Sequence, residues 1–238
     1  MAVEGLHLIL VARREPALAS LAAELKQGHG VQCCVLSADL SDLEAVHRVA
    51  DATSDLDVGL LVAAAGFGTS GLLLDSSLAA ETEMVDLNCT GVLALASHLG
   101  PRLVKRGRGG VVFMSSLLAF HGTPRAANYV ATKAYIQTLA EGLRVEWAAL
   151  GVDVIASAPG PISSGFAGAQ DHGAAGLAVQ AAGVVTRDPA ALGASHAHHA
   201  GDEGHDGPPG SNHRAHAKLN DRAERSQCID ARDDESLW

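Results

Sequence analysis

The chain has 238 residues, of which 47% are hydrophobic and only 3% aromatic. This length suffices for one large domain or two small ones, with a core built mainly from alanine, valine and leucine. The formal net charge is −10 at pH 7, and no basic stripe accumulates, which argues against nucleic-acid binding. No apolar run reaches the length of a membrane span, so no membrane partner is predicted.

The N-terminal segment does not have the pattern of a secretory signal. Its apolar run, 6–12, follows Glu4 rather than a basic segment, and charged residues come after it with no small-residue cleavage site. The four cysteines show no metal-binding or redox spacing. We therefore predict a cytoplasmic protein.

Short aliphatic runs alternate with helical patterns along most of the chain. The first run, 6–12, predicts a buried strand, and segment 16–28 has a helix's initial proline and final glycine. The alternation continues with predicted strands at 31–42, 58–66, 109–116 and 152–160 and predicted helices at 41–53, about 80–106 and 126–150. Uniformly apolar runs are typical of strands covered on both faces. The pattern predicts a doubly wound, Rossmann-type α/β domain with a mostly parallel sheet.

The composition changes near Phe166, beyond which glycine, alanine, aspartate and histidine dominate. We predict an incomplete Rossmann-type domain at 1–166 and a low-complexity, largely disordered tail at 167–238, in which only 173–185 could form a helix. Histidines at 196–199 could bind a metal. Adjacent histidines without an ordered scaffold favour incidental composition instead, so no metal site is predicted.

A tyrosine stands four residues before a lysine at the start of the predicted helix 126–150. Tyr129 and Lys133 would share one helix face. A phenol ordinarily has a pKa of about 10, and a nearby ammonium lowers it by favouring the phenolate. The pair is thus a candidate general acid/base for interconverting a carbonyl and an alcohol. Alone, however, this spacing arises often by chance and favours simple helix packing.

Further landmarks occur in order around the pair. Ser116 ends the predicted strand 109–116, and the active sites of doubly wound sheets lie at the carboxyl ends of strands. Asn88 begins an Asn-Cys-Thr-Gly segment in the preceding helical pattern. The other landmarks follow strands at 38–40, 63–66 and 159–164. Together these motifs resemble the shorter, single-domain branch of the short-chain dehydrogenase/reductase family, over about residues 5–166.

The resemblance implies a role for each matching position. Tyr129 would protonate the carbonyl oxygen, and Lys133 would lower the pKa of Tyr129 and hold the nicotinamide ribose. Ser116, which the family's serine-to-tyrosine interval selects over Ser115, would bind the substrate oxygen, and Asn88 would hold a relay water. Besides Asn88, Tyr129 and Lys133, the implied cofactor-binding residues are Asp39 and Leu40 at the adenine, Ala64, Ala65 and Gly66 at the adenosine, and Gly160, Ile162 and Ser164 at the nicotinamide.

The tip of the first predicted strand favours NADP(H) over NAD(H). An NAD-preferring tip carries an acidic residue that binds the ribose 2′-hydroxyl, whereas here Ala12 stands at the tip and Arg13 follows. A guanidinium can bind a 2′-phosphate through two hydrogen bonds. The alternative is that Arg13 and Arg14 form only a solvated strand end.

The sequence also departs from the family pattern. The phosphate-binding turn, Thr-Gly-x-x-x-Gly-x-Gly, is absent, and Ala63 to Gly66 stand where the family often has Asn-Asn-Ala-Gly. Without the central first strand, the sheet would have a gap in its middle, and the cofactor pyrophosphate would lack a helix N-terminus. The family's lid, helix and seventh strand are replaced by the tail. A wrong start codon combined with a frame shift near Phe166 would account for both ends, which the nucleotide sequence would test.

The leading functional interpretation is an NADP(H)-dependent oxidoreductase for a small carbonyl or alcohol, with Tyr129 as the acid/base. The alternative is a non-catalytic, truncated remnant that binds cofactor weakly or acts as an interaction protein.

Apolar residues lie on more than one side of 136–150, and the resemblance implies a homodimer or homotetramer through this helix and the preceding one. Trp147 could instead simply cap the core. The resemblance implies that substrate specificity would lie largely in the lid.

Overall fold

The computed structural model describes residues 1–160 and, as backbone only, residues 182–186. The strands are β1 His7–Ala12, β2 Cys33–Ser37, β3 Leu60–Ala63, β4 Gly109–Met114, β5 Val152–Ser157 and β6 Ala182–Thr186. The helices are α1 Glu15–His29, α2 Leu43–Ala52, α3 Leu78–Val85, α4 Val92–Arg106 and α5 Ala127–Ala148. Short helical turns occur at Ala2–Glu4, Leu73–Asp75 and Leu117–Phe120, and a π-helical turn spans Asp86–Gly91. None of the helices described is long and apolar enough to cross a membrane.

The strands form one sheet in the order β2-β1-β6-β3-β4-β5. The pairs β1–β2, β3–β4 and β4–β5 are parallel, whereas β6 runs antiparallel to both β1 and β3. Helices alternate with the parallel strands along the chain. The predicted doubly wound α/β fold with a mostly parallel sheet is therefore confirmed.

The centre of the sheet corrects two predictions. We expected a gap where the family's first strand would lie, but β6 fills it, with Val184 opposite Ile9 on one side and Leu61 on the other. We also named 173–185 as a candidate helix, whereas 182–186 form this strand. Two facing strand edges carry unpaired N–H and C=O groups that a strand between them satisfies, and Ala-Gly-Val-Val-Thr has the β-branched residues that suit it.

The rest of the tail prediction lies outside the described residues, as do the predicted site residues Ile162 and Ser164 and the histidine cluster 196–199. The division into 1–166 and 167–238 therefore stays a prediction.

Strand β1 is covered on both faces, as its uniformly apolar sequence predicts. Ile9 and Val11 join the main core between the sheet and helices α2, α4 and α5, in which Phe113 and Leu61 are fully buried. Leu8 and Leu10 join a smaller cluster under α1. Successive side chains of a strand point to opposite faces, so one aliphatic run serves both layers.

The predicted long helix 80–106 is interrupted. Helix α3 begins after Ser77, whose side chain accepts a hydrogen bond from the N–H of Ala80 at 3.1 Å. The π-helical turn then shifts the chain before α4 begins. At its end, a Cβ on Gly91 would collide with the carbonyl oxygen of Leu40. Glycine thus lets this turn approach the segment after β2, which brings Asn88 to the carboxyl edge of the sheet.

Candidate active site

The predicted pair lies at the carboxyl end of β4. Tyr129 occupies the first turn of α5 and Lys133 the next. The Lys133 Nζ lies 5.8 Å from the centroid of the Tyr129 ring and donates a hydrogen bond to the carbonyl oxygen of Met114 at 2.9 Å. Lys133 is only 6% exposed, and this burial lowers its pKa to about 8.

The pKa of Tyr129 corrects one expectation. Burial raises the pKa of the phenol, a hydrogen bond with the Ser116 side chain lowers it, and burial prevails. The predicted depression by Lys133 is not seen in this arrangement, because the lysine is itself desolvated and hydrogen bonded to the main chain. The phenol is therefore protonated at neutral pH.

The structure distinguishes the two serines after β4. The Ser115 hydroxyl is buried and donates to the carbonyl oxygen of Lys133 at 3.2 Å. Ser116 Oγ accepts from the N–H of Leu118 at 3.2 Å, and its side chain also hydrogen-bonds Tyr129. Ser116, as the resemblance implied, is the serine that meets the phenol.

Asn88 is fixed by main-chain groups and by a residue that sequence reasoning missed. Its Oδ1 accepts from the N–H of Phe67 at 3.0 Å, and its Nδ2 donates to the carbonyl oxygen of Phe67 at 2.8 Å. The same Nδ2 donates to Thr132 Oγ1 at 3.0 Å, and that hydroxyl donates to the carbonyl oxygen of Tyr129 at 2.7 Å. Thr132 thus ties Asn88 to α5. Its position on the helix face of Tyr129, just before Lys133, was the available signal.

Two glycines allow the chain after β3 to approach these side chains. A Cβ on Gly66 would lie 2.9 Å from Asn88 Oδ1 and 3.4 Å from Lys133 Nζ. A Cβ on Gly68 would lie 2.9 Å from the Tyr129 ring. Ala65 is buried and Ala64 half-buried. The segment predicted to contact the cofactor through its backbone therefore lies directly against the catalytic candidates.

The predicted adenine end centres on Arg13. Its Nη1 lies 3.6 Å from Asp39 Oδ2 and 3.4 Å from Glu83 Oε1, the latter an interaction that sequence reasoning missed. Burial would raise the pKa of Asp39, but hydrogen bonds from Ser41 and the charge of Arg13 outweigh it and hold the pKa below its ordinary value. Leu40 is only 1% exposed and belongs to the core, so only its main chain can border a ligand.

Gly160 marks the opposite end of the site. A Cβ there would lie 3.2 Å from Leu117 Cδ1, and the N–H of Leu117 donates to the carbonyl oxygen of Pro159 at 3.1 Å. The turn after β5 is thereby joined to the segment that follows Ser116. The structure thus brings the described site residues together along the carboxyl edge of the sheet.

Residues 1–174 match the sequence model of the family described as short chain dehydrogenase. The chain belongs to the short-chain dehydrogenase family. The oxidoreductases of this family use NAD(P)H.

Curated members of the short-chain dehydrogenase family show the similarity at the sequence level. A 7beta-hydroxysteroid dehydrogenase of Clostridium sardiniense is 34% identical over 155 residues, which are 65% of this chain and 59% of the relative. A very-long-chain 3-oxoacyl-CoA reductase of Laccaria bicolor is 31% identical over 150 residues, 61% of this chain and 44% of the relative. The chain thus spans about six tenths or less of the length of these relatives.

Solved structures of short-chain dehydrogenases show the similarity at the level of the fold. A short-chain dehydrogenase from Sphingobium yanoikuyae in complex with NADPH superposes with a TM-score of 0.68 at 32% identity, covering 70% of this chain and 66% of that one. A bulky-bulky ketone specific alcohol dehydrogenase from Comamonas testosteroni superposes with a TM-score of 0.66 at 29% identity, covering 68% and 65%.

Proposed function

We propose that this chain is, or is part of, an NADP(H)-dependent oxidoreductase that interconverts a small carbonyl compound and its alcohol. The observation that carries the proposal is the meeting of Tyr129, Ser116 and Lys133 at the carboxyl end of β4. The names of the relatives, which include a hydroxysteroid dehydrogenase and a ketone-specific alcohol dehydrogenase, support a carbonyl or alcohol substrate.

Tyr129 is the proposed acid/base. When bound, the nicotinamide supplies the hydride that reaches the carbonyl carbon. The Tyr129 hydroxyl gives its proton to the carbonyl oxygen, and Ser116 orients that oxygen by a hydrogen bond. Because the pKa of Tyr129 is raised, the protonated form needed for carbonyl reduction predominates at neutral pH. Alcohol oxidation needs the phenolate, so its rate should rise with pH.

Arg13 supports the choice of NADP(H). Its guanidinium lies at the carboxyl end of β1, is partly exposed and is oriented by Asp39 and Glu83. An Arg13→Ala variant should therefore lose affinity for NADPH by about tenfold or more while losing little for NADH, because only NADPH carries the 2′-phosphate. Fluorescence titration of both cofactors measures this, with Arg14→Ala as the control. Equal losses for the two cofactors would contradict the role of Arg13.

One observation favours the second candidate, a non-catalytic remnant. The antiparallel β6 lies between β1 and β3, where the family has its first parallel strand, and the phosphate-binding turn that follows that strand is absent from the sequence. Titration of the full chain with NADPH separates the candidates. Tight, saturable binding supports the oxidoreductase, and weak or absent binding supports the remnant.

The proposed assembly is a homodimer or homotetramer through α4 and α5, in the cytoplasm. A stripe at helical spacing faces outward from α5, with Tyr135 40% and Val145 73% exposed. Its other members, Ala131, Thr138 and Gly142, are small and exposed, which lets a second helix approach closely. Trp147 is not part of this outward stripe, because it packs against Gly100 of α4 and against the main core.

A further inference from the structure

Glu81 lies at the centre of a buried network next to the candidate active site. The residue is only 9% exposed. Its Oε1 accepts hydrogen bonds from Thr69 Oγ1 at 3.0 Å and from Ser76 Oγ. Asn128 Nδ2 donates to its Oε2 at 2.7 Å and to its main-chain oxygen at 3.0 Å. One side chain of α3 therefore joins the loop after β3 to the first turn of α5.

The carboxylate is ionised in spite of its burial. Burial would raise the pKa of Glu81, but the hydrogen bonds from Ser76, Asn128 and Thr69 outweigh this effect and hold the pKa below its ordinary value. An ionised acceptor forms stronger hydrogen bonds than a neutral one. Within the described part of the chain, its hydrogen-bond donors are neutral side chains. The charge is therefore used to hold these segments and not to neutralise a cation.

Of the two segments held by Glu81, the loop after β3 lies against the Tyr129 ring and the first turn of α5 carries Tyr129 itself. The loop 67–76 approaches the ring so closely that a Cβ on Gly68 would lie 2.9 Å from its Cδ2. Farther along, the N–H of Gly71 donates to the carbonyl oxygen of Arg125 at 2.8 Å, just before α5. Asn128, the other partner of Glu81, directly precedes Tyr129 in α5. A movement of the loop relative to α5 would therefore change the surroundings of the phenol.

We propose that Glu81 is a positioning residue for Tyr129, which clamps the loop 67–76 to the first turn of α5 and so fixes the direction of the phenol hydroxyl. The catalytic consequence rests on the proposed function, in which Tyr129 is the acid/base. The clamp itself is a claim about geometry that can be measured without turnover.

Two other roles for Glu81 predict different results. A merely structural residue would change stability without altering the surroundings of Tyr129. A purely electrostatic residue would act on the phenol through its negative charge, and neutral changes at its hydrogen-bond donors would then have no effect. The clamp requires that the loss of a hydrogen bond to Glu81 alters the surroundings of Tyr129 even when the charge of Glu81 is kept.

The test uses the full chain in a Tyr135→Phe background, which leaves Tyr129 as the only tyrosine. Phenolate absorbance then reports the pKa of Tyr129 alone. Thr69→Val and Asn128→Ala each remove one hydrogen-bond donor to Glu81 and keep its charge, whereas Glu81→Gln removes the charge. Glu24→Gln on the exposed face of α1 is the matched control. Amide hydrogen exchange at neutral pH measures the opening of the loop 67–76 in the same proteins.

We expect all three clamp variants to lower the pKa of Tyr129 by about half a pH unit or more, because a loosened loop admits water to the buried phenol. Exchange in 67–76 should rise at least severalfold, while Glu24→Gln changes neither quantity. A shift in Glu81→Gln alone would make the effect electrostatic and overturn the clamp. A loss of thermal stability with unchanged pKa and exchange in the folded variants would also overturn it. If Glu81→Gln fails to fold, the nearly isosteric Thr69→Val still decides.

Kinetics add the catalytic consequence. In a chain that turns over, Glu81→Gln should reduce kcat by about tenfold, with little change in the KM for NADPH, because a misdirected acid slows the chemical step. An equal kcat in variant and parent would overturn the catalytic part of the proposal. If the parent shows no turnover, the proposed function fails, whereas the titration and the exchange still decide the clamp.

Discussion

The phenol of Tyr129 and the ammonium of Lys133 are both desolvated, and burial moves their pKa values in opposite directions. Burial favours the neutral form of each group, so it raises the pKa of the tyrosine and lowers that of the lysine to about 8. Near neutral pH, the site thus holds a protonated phenol beside a lysine that is close to its own titration point. This arrangement suits proton donation to a developing alkoxide.

Tyr129→Phe tests the proposed acid directly. The variant loses only a hydroxyl, so the fold should persist while kcat for carbonyl reduction falls by about a hundredfold or more. Steady-state assays with NADPH measure the loss. Tyr135→Phe is the matched control, because the same substitution is made at an exposed tyrosine of the same helix. Undiminished activity in Tyr129→Phe would remove this residue from the mechanism.

Lys133→Met tests the energetic cost of the buried ammonium. Since the pKa of Lys133 falls from 10.5 to about 8 on folding, the unfolded chain holds more protons between these values, and stability rises with pH across this window. The cost is fully present below about pH 8. The variant should therefore gain ~1–3 kcal/mol in free energy of unfolding at pH 7, and the gain should shrink towards pH 10.5. Urea unfolding over this range measures it, and a gain that is independent of pH would contradict the assignment.

At the scale of elements, the turn between α3 and α4 places a polar side chain within the sheet's carboxyl edge. The π-helical turn Asp86–Gly91 carries Asn88, whose amide holds the main chain after β3 and, through Thr132, the helix α5. Three elements thus meet at one buried amide. Their arrangement depends on how closely the turn can approach the segment after β2.

Gly91→Ala should disturb this arrangement. The added methyl would collide with the Leu40 carbonyl, so we expect a loss of ~1–3 kcal/mol in free energy of unfolding. Gly28→Ala is the matched control, because a Cβ there meets open space in the last turn of α1, and it should gain ~0.5–1 kcal/mol. Urea unfolding of both variants gives the comparison. Two stabilised variants would show that the close approach at Gly91 is relaxed in solution.

At the scale of the whole molecule, the sheet continues unbroken from β2 to β5 because β6 joins two parallel halves. The helices on both faces leave the stripe on α5 as an outward surface of small and apolar residues. In the proposed assembly, a second copy would cover this stripe.

Val145→Glu should therefore dissociate the proposed oligomer, because it introduces a charge into an apolar contact. Val3→Glu is the matched control, with the same substitution at a similarly exposed valine, 76% against 73%, in the N-terminal turn. Light scattering measures the mass of both proteins. A parent chain that is already monomeric, or a Val145→Glu variant that retains the mass of the parent, would contradict an interface on α5. Trp147 is unsuitable for this test, because it packs on the main core.

The sequence by itself determined the layered α/β architecture and the family, and it supplied the candidate site residues, whose roles stay proposals. Mostly apolar runs predicted the strands, as expected for strands covered on both faces. The order of Asn88, Ser116, Tyr129 and Lys133 identified the family before any contact was known. These signals are local, and they survive even where the family's phosphate-binding turn is missing.

Only the tertiary structure decided features that depend on distant segments meeting. The pairing of β6 with β1 and β3 depends on two strand edges that face each other only in the folded protein. No local sequence pattern predicts this pairing. The raised pKa of Tyr129 depends on burial by segments far along the chain, which outweighs the hydrogen bond with Ser116. The clamp at Glu81 joins residues 69, 76 and 128 to a glutamate that reads, in the sequence, as one more charge on a helix.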